Sequence, residues 1–510
     1  MPIIHALILA LNTLFLVLLT GFGAHRLWLL YLFFKHGKER PEIRERFAEL
    51  PRVTIQLPMY NEMNVVERLI DTICQIDYPR DRLQIQVLDD STDESAGIAC
   101  AKVSEKAAEG HDIVYLHRTD RSGYKAGALH EGLKSATGDF VAIFDADFLP
   151  RPDYLQKAIH HFTDSNVALV QFRWEHANRD FNMLTKLQSV FLDGHFVIES
   201  TARNRSGRFV NFNGTAGIWR RAAIDDAGGW SADTLTEDLE LSIRVQMKGW
   251  RFIYLPEETA PSEVPIDVNA FKTQQHRWSK GMTQTMVKML PTIWRARSLP
   301  LKVRLELTFQ LVAPLIHPTV AGLMLLTLPV LIVRVHNPHL TSLFYLDLFS
   351  FAMVTGSLIA FYVAAEHYVD GNWQRPLKYV PLLSSLGVGI SLNQTRACLE
   401  GLAGHVSPFE RTPKWGVGRR AVSVGAAKYK GIVGVFPYLE LALAVYFTVV
   451  LFAAIHYRLW ISVPFQVIFM SGLYYTGLQS LIHQRAARGA APRAEEAPVA
   501  TPVGASMSRG

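Results

Sequence analysis

The sequence predicts an α/β domain with a mostly parallel sheet, embedded between transmembrane helices. Three observations carry this. Apolar stretches of about 20 residues or more sit at both ends of the chain, each long enough to cross a bilayer. Between them, from about Pro51 to Lys288, short β-branched runs alternate with helical patterns, as in doubly wound sheets. Polar residues cluster after several of those runs, where ligands bind outside the carboxyl ends of strands. The 49% hydrophobic content is therefore concentrated at the two ends. A net charge of +6 would permit nucleic-acid binding. However, Lys and Arg form no stripe and flank apolar segments, so the expected partner is the lipid bilayer and no nucleic acid. Cys74, Cys100 and Cys398 show neither C-x-x-C nor Cys/His spacing, which speaks against a disulfide framework and a zinc site. They are expected to be buried or interfacial thiols in a reducing compartment.

In order, residues 1–36 form the N-terminal transmembrane helix. His5 to Ala24 is nearly uncharged, and without a basic n-region or small-residue cleavage site it reads as a span rather than a signal peptide. The basic run Lys35 to Arg40 places the following residues in the cytoplasm. Residues 37–300 are the soluble domain. Val53–Leu57, Leu83–Leu88 and Ile113–Leu116 are its first strands, and Phe140 to Phe144 reads as a buried parallel strand. Residues 301–484 return to the membrane: Leu311–Val333, Ser342–Ala365, Ile432–His456 and Leu459–Ile482 are long enough to span. Val380–Leu402 is apolar but carries Asn393, Arg396 and Glu400 on one helical face, and reads as an amphipathic helix in the interface. Five spans then keep the basic segment Arg411 to Lys430 on the same side as the domain. The chain is thus expected in the cell (inner) membrane, multi-pass, with its soluble domain cytoplasmic. Residues 485–510, rich in Ala and Pro, read as a disordered tail.

The chemistry centres on Asp145-Ala146-Asp147. At the end of a strand the pleat would turn both carboxylates to one side, where a divalent cation, Mg²⁺ or Mn²⁺, could bridge them to a diphosphate. Taken alone the pair reads first as two solvated acids opening a turn before Pro150, and only its company favours the metal. Asp89 and Asp90 end the second strand, where a carboxylate can accept from a nucleobase and a ribose; an Asx-turn is as good a reading of either. Gly123, Gly127 and Lys125 would suit phosphate, by close backbone approach and a point charge. Thr236-Glu237-Asp238 opens a helical pattern, either as a capping run or with Asp238 as general base at the crevice rim. In Gln274-Gln275-His276-Arg277-Trp278, the indole could stack on a sugar and Arg277 could neutralise a leaving diphosphate.

These stretches resemble the D, D, D, Q-x-x-R-W signature of processive family-2 glycosyltransferases, such as cellulose synthase and hyaluronan synthase. The likeness is closest to the cellulose synthase-like A proteins, the glucomannan 4-β-mannosyltransferases. It extends through Gln86 to Asp93, Gly123 to Leu129, Phe140 to Phe148, Asn211 to Trp219 and Gln274 to Ser279. The resemblance implies a GT-A-type, nucleotide-sugar-binding domain. It assigns Tyr60, Glu62, Asp89 or Asp90, Lys125, Asp145 and Arg277 to the donor, and Asp145 and Asp147 to the metal. It makes Asp238 the base, and places Trp278, Gln274, Glu237, Asn213, Gly214 and Thr215 on the acceptor side. The family's gating-loop motif, F-x-V-T-x-K, corresponds to Phe409, Thr412 and Lys414 near residues 405–418, with Arg411 in place of the usual Val. With no domain after the last span, control by cyclic-di-GMP is not expected.

The implied activity is inverting, processive transfer of mannose or glucose, from GDP-mannose or UDP-glucose, to a growing β-1,4-linked polysaccharide. One base and one cation suffice for that chemistry, without the paired acids of a hydrolase. Translocation through an aromatic-lined polar channel between the spans would follow, with or without an export partner. A non-processive enzyme making a membrane glycolipid would share the donor motifs. A sugar-binding export subunit would tolerate loss of Asp238.

Overall fold

The computed structural model describes residues 3–337, 344–405, 412, 414, 416 and 434–489. The tail beyond residue 489 and Phe409 of the gating loop lie outside the described residues. Helix α1 (Ile3–His36) leads into strand β1 (Val53–Met59), α2 (Val66–Cys74), β2 (Leu83–Asp89), α3 (Ser95–Ala108), β3 (Asp112–His117), α4 (Tyr124–Ser135) and β4 (Phe140–Ile143). These alternate because apolar residues recur at period 2 in the strands and at helical spacing between them. Val66, Leu69, Ile70 and Ile73 form the buried face of α2, for instance. After α5 (Tyr154–Ile159) come β5 (Val167–His176), α6 (Met183–Asp193), a π-helical turn (Gly194–Glu199), α7 (Ser200–Arg205), β6 (Gly217–Arg220), α8 (Arg221–Asp226), α9 (Glu237–Met247) and β7 (Arg251–Ser262).

The seven strands lie in the order β3-β2-β1-β4-β6-β5-β7. β1 pairs in parallel with β2 and β4, and β5 with β7, while β6 runs antiparallel to β4 and β5. The sheet is therefore mostly parallel, as expected, with one reversed strand that the apolar pattern did not mark. Its two faces are covered differently. Val53, Ile55 and Leu57 join a core with α2, α3 and α5. On the other face Thr54 bonds Gln84 at 2.9 Å and Gln56 bonds Gln86 at 3.0 Å, both pairs buried beneath α4. Buried amides persist there because each has a cross-strand partner.

Helix α10 (Val268–Arg295) carries the chain to α11 (Leu301–Val312), α12 (Ile316–His336), α13 (Phe344–Asp370), α14 (Val380–Gly389), α15 (Ser391–Leu402), α16 (Phe436–His456) and α17 (Val463–Gly489). Five segments are long and apolar enough to cross a membrane: Ile3–His36, Leu301–His336, Tyr345–Asp370, Phe436–His456 and Trp460–Arg485. The segment expected to be one interfacial helix is corrected. It is two helices that meet at Ile390, and its polar face does not look to solvent: Asn393 donates to the Lys272 carbonyl at 3.0 Å, and Glu400 accepts from Lys280 at 3.0 Å. Both partners lie on α10, so the charged face is satisfied by a neighbouring helix. Cys398 and Cys74 are buried or half-buried, but Cys100 is exposed, against expectation.

Candidate active site

Helix α4 fixes the first cation. Gly123 takes φ +70°, and a Cβ on Gly127 would lie 2.1 Å from the Ser122 carbonyl oxygen, so the turn into the helix closes only with glycine there. That places Lys125 in the first turn of α4, where its ammonium pairs with Asp145 and donates to the Gly214 carbonyl at 2.9 Å. Burial works against the ammonium, yet Asp145, Glu237 and Asp238 outweigh it and hold its pKa above the ordinary lysine value.

The geometry of the two central acids differs from the sequence expectation. Strand β4 stops at Ile143, so the pleat does not align them. They lie in a turn instead, closed by the Phe148 N–H on the Asp145 carbonyl at 3.0 Å, while the Asp145 N–H donates to the Thr215 hydroxyl at 2.9 Å. Asp145 faces Lys125, whereas Asp147 accepts from Lys414 at 2.7 Å and from the Glu263 N–H at 3.2 Å, both through Oδ2. Its other oxygen, Oδ1, is buried and has no partner among the described residues. A buried carboxylate oxygen without a donor suits a hard cation that takes oxygen ligands. Among the described residues no group of three acids, histidines or cysteines gathers around a metal position, at this site or any other. Asp145 and Asp147 would therefore be the two carboxylates that hold a divalent ion, whose positive charge would offset that of a diphosphate.

Helix α9 brings the candidate base. Thr236 precedes it but caps nothing, its hydroxyl lying 3.0 Å from that of Thr285. Asp238 accepts from the Leu239 N–H at 2.8 Å through Oδ1. Its Oδ2 faces Gly214, where φ is +81° and an added Cβ would sit 3.0 Å from that oxygen and 3.5 Å from the Lys125 nitrogen. Burial, followed by the neighbouring Glu237 carboxylate, pushes the Asp238 pKa up to about 7, against the Leu239 N–H and Lys125. Glu237 is raised by the same burial. On α10, burial lowers the Arg277 pKa, opposed by Glu237, Asp145, Asp238 and Asp147. Acids far apart in sequence therefore surround one centre. Gln274 is buried one turn before, and Trp278 packs half-buried beside Leu192, Phe196 and Val264.

At the donor rim the predicted residues are already engaged. Asp89 accepts from the Ser91 N–H at 2.9 Å, the Asx-turn reading, and from the Tyr115 hydroxyl at 2.6 Å. Asp90 holds Arg118 through both oxygens, at 2.8 and 2.6 Å. The Arg121 guanidinium lies 3.3 Å above the Tyr60 ring. Glu62 is buried, and its carbonyl closes the turn onto α2. Asn213 accepts from Asn211 at 2.8 Å and faces His195 at 3.2 Å. Thr412 is buried. Sequence reasoning marked Arg121 as the second cation of the Arg121–Gly127 stretch but missed Arg118 and Glu263. Arg118 follows β3 directly, where the crevice rule alone could have marked it, but Glu263 stands in no motif.

Residues 51–281 match the family model described as glycosyltransferase like family 2. The chain is 42% identical, over 270 residues, to glucomannan 4-beta-mannosyltransferase 1 of Oryza sativa subsp. japonica, covering 51% of each chain. It is 44% identical, over 253 residues, to glucomannan 4-beta-mannosyltransferase 2 of Arabidopsis thaliana, covering 49% of this chain and 47% of that one. The chain spans about half the length of the curated relatives it matches. Among solved structures, a mannosyltransferase from Pyrobaculum calidifontis, in complex with GDP-Man and Mn²⁺, superposes with a TM-score of 0.50 at 23% identity, over 70% of this chain and 97% of that one. This likeness supports the GT-A-type fold.

Proposed function

We propose that the chain is a membrane-integrated, inverting, processive β-1,4-mannosyltransferase that draws mannose from GDP-mannose. The observation that carries the reading is the placement of Asp238 beside Gly214 and Lys125, with Asp145 on the same lysine. A base, a cation and an acid pair meet where a nucleotide sugar and an attacking hydroxyl would meet. The relatives named above are mannosyltransferases, and the fold-matched mannosyltransferase carries GDP-Man with Mn²⁺. The UDP-glucose alternative gains nothing from them.

In this reading Asp238 takes the proton of the acceptor's O4 hydroxyl as that oxygen bonds to C1 of the donor sugar. The bond from C1 to the diphosphate oxygen breaks on the opposite side, which inverts the anomeric centre. Lys125 and Arg277 offset the charge that develops on the departing diphosphate. Mg²⁺ or Mn²⁺ at Asp145 and Asp147 would supply further positive charge there. Tyr60, Glu62, Asp89 and Asp90 line the nucleotide side. Trp278, Gln274, Glu237, Asn213, Gly214 and Thr215 hold the acceptor, and Thr412 and Lys414 belong to the loop over the donor. The basic flanks of the spans favour a cytoplasmic domain on the inner membrane, from which the product passes between the spans.

Purified full-length protein incubated with labelled GDP-mannose or UDP-glucose tests this, with products sized and treated with mannanase and cellulase. Long, mannanase-sensitive chains from GDP-mannose alone are expected. Single-sugar glycolipids would reject processivity, and cellulase-sensitive chains would reject mannose.

A further inference from the structure

Beyond the motif residues, the structure places a row of side-chain amides between the candidate base and the first membrane-entering helix after it. Val210 and Phe212 turn into the core, where Phe212 packs against Trp219 and Trp230. Asn211 and Asn213, at alternate positions, stay half-exposed. Gln310, buried on α11, donates Nε2 to the Asn211 Oδ1 at 3.1 Å, and Asn211 donates Nδ2 to the Asn213 Oδ1 at 2.8 Å. The other end is pinned by charge. His195 contacts the same Asn213 Oδ1 at 3.2 Å through Nε2 and Glu199 at 3.1 Å through Nδ1, and Glu199 pairs with Arg203 at 3.0 Å.

This chain has a direction. Each linking carbonyl accepts and each linking NH₂ donates, which leaves one group over at either end: the Asn213 Nδ2 donor and the Gln310 Oε1 acceptor. Both atoms are buried and have no partner among the described residues. A row that served packing alone would be closed, because a buried amide atom without a partner is costly. One free donor and one free acceptor suit the hydroxyls of a hexose, which both give and take hydrogen bonds. The position suits a sugar too. Asn213 adjoins Gly214 and hence Asp238, and Phe196 packs against both the His195 ring, at 5.0 Å, and Trp278. Gln310 lies further on, within the apolar segment Leu301–His336.

We infer that Asn211 and Gln310 form a subsite for the acceptor sugar that lies behind the terminal one, with Gln310 Oε1 accepting from one of its hydroxyls. The inference rests on the proposed mannosyl transfer. It is tested with full-length protein, labelled GDP-mannose, and methyl mannoside, mannobiose and mannotriose as acceptors, in the wild type, Gln310→Ala and the near-isosteric Gln310→Met. Loss of one neutral hydrogen bond predicts a roughly three- to tenfold rise in KM for mannobiose and mannotriose in both variants, with kcat and the KM for methyl mannoside unmoved. An unchanged mannobiose KM in Gln310→Met, or an equal rise for methyl mannoside, overturns the subsite. If the wild type transfers mannose to none of the three, the mannosyl reading itself fails, and that result is read without any variant.

Discussion

The two sides of the crevice are built in different ways. On the proposed donor side, Asp89, Asp90, Lys125, Asp145 and Asp147 each lie within a few residues of a strand end or a helix start. The parallel pairing of β2, β1 and β4 carries them to one edge. On the proposed acceptor side, Asn213, Asp238, Trp278 and Gln310 come from a loop and from α9, α10 and α11, and packing between elements brings them together. The donor side is set by backbone that folds locally, whereas the acceptor side depends on helices that continue into the membrane segments. Damage to the junction with the spans should therefore weaken acceptor binding first.

The largest expected break in this contrast is Asp238→Asn, which removes the base from between the two sides. Initial transfer rates should fall about 10²–10⁴-fold, while GDP-mannose binding persists. Asp145→Asn or Asp147→Asn strikes the donor side alone. Transfer should fall about 10²–10³-fold, and chelation should mimic this in the wild type with recovery on adding Mn²⁺. The junction itself is tested at Arg179, whose guanidinium bonds the buried Asp193 of the domain and the buried Glu366 of α13. Arg179→Met takes the cation away from the buried Glu366, while Asp193 keeps His176 and Arg173, and should cost about 3–5 kcal/mol of stability, seen as a lower Tm. A smaller effect is expected for Trp278→Ala, a rise of about three- to tenfold in acceptor KM with donor KM held. The pH profile sharpens the picture further. A base with its pKa near 7 is protonated and idle below that value, so kcat/KM should climb about tenfold per pH unit up to about 7 and level off above it. A profile flat from pH 5 to 8 would assign the limb elsewhere.

What the sequence revealed follows the same division. β1 and β2 were legible because apolar residues alternate along them, β3 because Ile113–Leu116 is a short apolar run, and Lys125 because glycines bracket it. The turn that carries Asp145 and Asp147 was not, since it depends on the Thr215 hydroxyl, 70 residues away. Four-residue β6 overlaps the end of the Asn211 to Trp219 stretch and shows no period of its own. The charged face of α15 reads as solvent-facing until α10 is seen covering it with Lys280 and the Lys272 carbonyl. Gln310 was invisible for the same reason. An isolated glutamine in an apolar helix gains meaning only from Asn211, which lies opposite in space and 99 residues away in the chain.

The central claim is that two separately built sides meet at one reaction centre. Its most direct test is a pair of equilibrium titrations, GDP-mannose with Mn²⁺ and mannotriose, on Asp147→Asn and Trp278→Ala. The claim predicts that Asp147→Asn weakens the nucleotide sugar tenfold or more and holds mannotriose within about twofold, with Trp278→Ala weakening mannotriose alone. If one substitution abolished both affinities, or each abolished the opposite one, the two-sided crevice would be contradicted.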